Sequence, residues 1–230
     1  MTETLYEAAT LIIPLILAIV FHEVAHGWAA LALGDPTAKE RNRLSLNPIR
    51  HVDPIGTIIL PGVLKLIGAP VFGWAKPVPV IKERLRNPRF GMMAVAAAGP
   101  GSNFAMAALA ATALGLILPS GLDAIERMSV HGFAIYSLLA FIQINIFLAL
   151  FNLLPIPPFD GSHIVEGLLP PRVAEQYERL RPLGFPIVLI ALVVVPWLIP
   201  AFNPVGWLFE APVRWMMERY LEIARAVAGR

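Results

Sequence analysis

Long runs of apolar residues, broken by proline- and glycine-rich turns, set the layout of this chain. Residues 8–33, 89–118, 132–154 and 183–201 are each long and uncharged enough to cross about 30 Å of hydrocarbon as a helix. Gly34-Asp35-Pro36-Thr37 closes the first run with turn-forming residues, and Leu154-Pro155-Ile156-Pro157-Pro158-Phe159-Asp160-Gly161 breaks the third. Residues 56–68 are apolar but too short for an easy crossing, and their Gly and Pro content predicts a re-entrant or interfacial segment. Val71 to Val80 alternates in part and is β-branched, which predicts a short strand, kept to an edge by Pro77 and Pro79. Residues 119–131 read as a short polar turn. The tail 203–230 mixes Trp207, Leu208, Val213, Trp215, Met216 and Leu221 with Glu210, Arg214, Glu218, Arg219 and Glu222, the pattern of an amphipathic helix along the interface. The pattern predicts an all-α integral membrane protein with about four transmembrane helices. A small membrane-associated β element lies between the first two, and residues 1–230 form one domain.

Composition agrees with this layout. Apolar residues make up 57% of the chain and charged residues only 15%, with a mean hydropathy of +0.68, too apolar for a soluble domain of this size. The start lacks the basic residues of a secretory signal, so the first run stays in the protein. Of the 18 Lys and Arg residues, ten fall between Lys39 and Arg89. The positive-inside rule then puts that connection in the cytoplasm and the N-terminus outside a cell membrane. The basic connection is a topology signal and a contact for anionic lipid, and no nucleic-acid partner is expected.

The chemistry begins inside the first apolar run, at His22-Glu23-Val24-Ala25-His26. Two histidines four residues apart share one helix face, so both imidazoles can reach one ion, with the glutamate beside it as general base. Such residues in lipid are costly unless they act. With no cysteine in the chain, a third ligand must be His, Asp or Glu. Asp160 is the best placed, because the prolines before it free the backbone at the cytoplasmic end of the third run. His163 and Glu166 compete for the same role. Asn152 and Asn103 are candidate donors to a developing oxyanion. For Gln143 and Asn145 helix–helix hydrogen bonding is the expected role, and His51 and His131 fall outside any constellation. Gly99-Pro100-Gly101 is read as either a packing and kink device or a substrate element.

Taken together, Phe21-His22-Glu23-Val24-Ala25-His26, Gly99-Pro100-Gly101-Ser102-Asn103 and Asn152 to Gly161 resemble the site-2 protease family of zinc intramembrane metalloproteases. The likeness extends over Arg43 to Pro48 and Gly73 to Val80 and covers about residues 10–200. It implies a zinc endopeptidase in which His22, His26 and Asp160 hold one Zn2+ ion and Glu23 activates water. Asn152 and Asn103 would assist at the oxyanion or the substrate backbone. The implied substrates are transmembrane segments of single-span membrane proteins, such as anti-sigma factors or signal-peptide remnants. Compared with larger members, the chain shows neither a PDZ insertion nor a cystathionine-β-synthase-type domain. Two rival readings remain at this point: a divalent metal carrier, and an inactive scaffold that binds transmembrane helices. The carrier predicts ligand residues repeated along several spans, and retention of Glu23 argues against the scaffold.

Overall fold

The computed structural model describes residues 2–118, 126 and 128–229. Three long helices form its centre: α1 (Thr2–Ala32), α4 (Pro88–Ile117) and α5 (Val130–Asn152). Each boundary has a local cause. Gly34 takes φ +110°, a left-handed turn open to glycine, just after α1. Asn87 caps α4 by accepting from Phe90 N, with Pro88 in the first helical position. Ser129 caps α5 by accepting from Gly132 N at 2.9 Å. Pro100 lies inside α4 without ending it. α4 and α5 pack through the small residues Ala107, Ala110 and Ala111 of α4, which with Leu114 meet Ile135, Ile142 and Ile146 of α5. The opposite faces stay apolar, as in Leu11, Ile12, Ile13, Leu15, Ile16 and Leu17 of α1, all at least 40% exposed. An apolar surface of that kind suits a lipid surround.

Around this centre lie shorter helices, α2 (Thr37–Glu40), α3 (Leu60–Leu66), α6 (Asp160–Leu168), α7 (Pro171–Glu178), α8 (Arg181–Leu189) and α9 (Val195–Leu198), and one more long helix, α10 (Pro204–Val227). A π-helical stretch, Pro54–Ile59, runs into α3, and another, Ile190–Val194, joins α8 to α9. Four stretches are long and apolar enough to cross a membrane: Glu3–Ala32, Pro88–Ile117, Val130–Asn152 and Arg181–Leu198. These match the four expected runs to within a few residues. The Arg181–Leu198 stretch packs against α3, with Leu64, Ala69 and Val193 buried together.

One expectation changes. The strand over residues 71–80 does not form, and no strand occurs among the described residues. The segment is extended, but its amides are met one at a time: Trp74 N by Gly56 O, Lys76 N by His51 O, Val78 N by Glu23 and Ile81 N by Asp35. Pro77 and Pro79 carry no N–H, so no continuous ladder can be built there. The tail forms a helix with one face on the bundle. α10 runs beside α4 and α5, with Phe209 against Phe147 and Phe151 at one end. Tyr220 donates to Phe104 O at 3.0 Å in the middle, and Ala224 sits on Gly115 at the other end. The 119–131 turn falls largely outside the described residues.

Candidate metal centre

His22 and His26 stand one turn apart on α1, both buried, and their Nε2 atoms lie 3.1 Å from each other. Asp160 is the first residue of α6, which starts where the prolines end α5. Its Oδ2 lies 3.2 Å from His22 Nε2 and 3.3 Å from His26 Nε2. Gly161 permits this approach, because a Cβ there would strike the backbone of Leu153 and Leu154. The other end of α6 is tied down by Arg89, which donates to Gly167 O at 3.0 Å and to Leu169 O.

These three atoms fit zinc on geometry. Ligand atoms about 2.0 Å from a tetrahedral ion lie about 3.3 Å apart, close to the observed triangle. Asp160 Oδ2 is buried and makes no hydrogen bond, although a buried carboxylate oxygen needs compensation. Both Nδ1 atoms are engaged elsewhere, on Asn103 Oδ1 at 2.6 Å for His22 and on Val95 O at 2.7 Å for His26. A carbonyl or amide oxygen accepts only, so each Nδ1 carries the proton and each Nε2 turns its lone pair to the centre. Gly99 underlies the pair, where any Cβ would collide with both imidazoles. Gly101, by contrast, borders open space. The triad is the only group of three such ligand residues among the described residues.

Glu23 reaches the same region half-buried, with Oε2 accepting from Val78 N at 2.8 Å. A cavity of about 740 Å³ opens beside the triad, lined by Glu23, Asn152, His163 and the Phe72–Val80 segment. Trp74 roofs it, packed edge-on against Phe185 with ring centroids 5.2 Å apart. Asn152 uses one amide hydrogen on Leu148 O at 2.9 Å and keeps a second for the cavity.

The remaining candidates go elsewhere. Asn103 is fully buried, with its oxygen on His22 and its nitrogen on Asn145 Oδ1 and Ala18 O. That position orients the ring and leaves no polar atom for substrate. Glu166 pairs with Lys82 at 2.7 Å and with Arg181, and His163 Nδ1 faces Arg181, so neither completes the histidine pair. Burial works against ionisation of Glu166, but the Lys82 hydrogen bond and the Arg181 charge hold its carboxyl below the usual range. His51 is buried on Ser45 O, and Gln143 points outward from α5. Asn145 makes the helix–helix hydrogen bond expected of it, accepting from Asn103 of α4, whereas sequence reasoning missed the carbonyl of Val95. A backbone carbonyl leaves no signal in the pattern of side chains.

Comparison with known proteins points the same way. The profile of peptidase family M50 matches residues 120–195. The Bacillus subtilis protein named "Putative zinc metalloprotease YwhC" is 40% identical over 186 residues, which cover 81% of this chain and 80% of that protein. The like-named Rip2 proteins of Mycolicibacterium smegmatis and Mycobacterium tuberculosis H37Rv are 28% and 30% identical, each over 88% of this chain and 71% of their own length. No solved structure matches. On the identity to YwhC and the family match, this chain belongs to peptidase family M50, the site-2 proteases, and is a membrane zinc metalloprotease.

Proposed function

We propose that the chain is a single-domain intramembrane endopeptidase in which His22, His26 and Asp160 hold the zinc ion and Glu23 is the general base. The observation that carries this reading is the triangle of Nε2, Nε2 and Oδ2 atoms beside Glu23 at one cavity. A bound zinc supplies Lewis acidity, which polarises the scissile carbonyl and makes water acidic enough to lose a proton near neutral pH. Glu23 takes that proton and later returns it to the leaving amine, while the amide N–H of Val78 keeps its carboxylate turned to the cavity. Asn152 turns its free amide hydrogen toward the oxygen on which charge develops. The substrate is a spanning segment of another membrane protein. A spanning helix has its amides tied in backbone hydrogen bonds, so it must unwind locally before the cavity can admit it. The ten basic residues between Lys39 and Arg89 support a cell-membrane topology with the N-terminus outside and the site toward the cytoplasm.

The test is reconstitution with a tagged single-span substrate. Glu23→Gln should keep its zinc and cut at least about 100-fold more slowly, the usual contribution of a general base. Unchanged cleavage would remove Glu23 from the mechanism. Zinc uptake into sealed vesicles would instead favour the carrier reading.

A further inference from the structure

Behind the metal centre runs a chain of amides that has only one allowed direction. Asn145 Nδ2 donates to Phe141 O at 2.7 Å, and a backbone carbonyl accepts only. The amide of Asn145 is therefore turned so that its oxygen faces Asn103, whose Nδ2 donates to it at 2.7 Å. Ala18 O, a second pure acceptor, lies 3.4 Å from the same nitrogen. Asn103 Oδ1 is left facing His22 Nδ1 at 2.6 Å, so the ring proton sits on Nδ1 and the lone pair on Nε2. Both amides are fully buried, with no surface water to reorient them. Turning Asn103 over would put its oxygen against two acceptors, Asn145 Oδ1 and Ala18 O. In this way a carbonyl on α5 sets the polarity of a histidine on α1, through an asparagine on α4.

We propose that Asn145 is a positioning residue of the zinc site: acting through Asn103, it sets the tautomer and ring orientation in which His22 can coordinate. This rests on the reading of His22 as a ligand. Asn145 is more than a packing contact between helices, because without it Asn103 meets only the weak Ala18 contact and can present either end of its amide to His22. The inverted amide would leave the ring proton on Nε2, where it blocks coordination.

Three variants and two readouts test the idea. Zinc affinity is measured on purified protein by chelator competition. The His22 tautomer is read in metal-free protein from the ring 15N shifts. Asn145→Leu keeps the volume in an apolar helix and should weaken zinc 10- to 100-fold, the usual effect of losing an outer partner of a metal-bound histidine. It should also give a mixed tautomer, with little change in the melting temperature of the metal-free protein. Asn145→Asp still accepts from Asn103, and should hold the wild-type tautomer and stay within about threefold of wild-type affinity. Wild-type zinc affinity in Asn145→Leu, or a lower melting temperature with tautomer and affinity unchanged, would reduce Asn145 to a packing role. His22→Ala separates the two ideas. If it loses zinc while Asn145→Leu does not, only the positioning role fails; if it binds zinc normally, the ligand reading and the positioning role fail together.

Discussion

Val78 supplies one of the few contacts that reach Glu23 from outside its own helix. Its N–H donates to Oε2 at 2.8 Å, a bond to the carboxylate that serves as base in the proposed mechanism. It fixes one carboxylate oxygen and leaves the other for water. Proline at this position deletes the donor. Hydrogen bonds to charged groups contribute about 1.5–3 kcal/mol, and 1.4 kcal/mol corresponds to a tenfold change in rate. Val78→Pro is therefore expected to slow cleavage about tenfold or more while zinc content stays at the wild-type level. Full activity in that variant would show that Glu23 needs no such anchor. Gly99 acts at the same scale by absence: its missing Cβ is the space both imidazoles occupy.

At the scale of elements, α6 is the part on which the site depends. It carries Asp160 in its first turn and Glu166 further along, where Glu166 ties together Lys82, just after the roof segment, and Arg181, at the start of α8. Glu166→Gln keeps the shape but leaves two cations without their partner. Lys82 and Arg181 are each about one-third exposed, so water screens part of the loss. The expected cost is about 1–2 kcal/mol of stability, below the value for a fully buried pair. The sign of the pH effect follows from the lowered carboxyl of Glu166. Its ionised form stabilises the fold above the unfolded value, about pH 4.3, and that share is lost as pH falls through the lower folded value. Thermal melts from pH 6 to 3 should show wild type and Glu166→Gln converging at the acid end. A constant gap between them would place the stabilisation outside this ionisation.

The whole molecule includes its charged tail. α10 lies along α4 and α5 with Ala224 nearly inaccessible, and turns Glu210, Arg214, Arg219 and Glu222 outward. Those charges pair along the helix, Glu210 with Arg214 and Arg219 with Glu222, which lowers the cost of an outward face beside a membrane. One close approach is at Gly115, where a Cβ would collide with the backbone of Ala224 and the side chain of Val227. Gly115→Leu should push α10 off the bundle and cost about 1–3 kcal/mol by overpacking, seen as a lower melting temperature in detergent. Gly101→Leu, facing open space, is the matched control and should not show that clash. Equal melting of the two variants would mean that α10 is not held at Gly115.

The division between sequence and structure follows the range of the forces involved. The four apolar runs and the His22–Glu23–His26 face were legible from the chain alone, because length, hydropathy and an i, i+4 spacing are local properties. Asp160 was legible too, since few carboxylates stand beside apolar runs and Pro155, Pro157 and Pro158 mark where a helix must stop. Packing decided the rest. Asn103 reads as a polar residue in a span whether it faces substrate or a histidine, and only the meeting of α1, α4 and α5 turns it toward His22. The strand expected at 71–80 needed a partner ladder, and the tertiary structure supplied separate acceptors instead. The tail's pattern specified an apolar face, but not whether lipid or a neighbouring helix would cover it. Contacts between residues far apart in the chain leave no periodic trace, so only the folded bundle could choose α4 and α5.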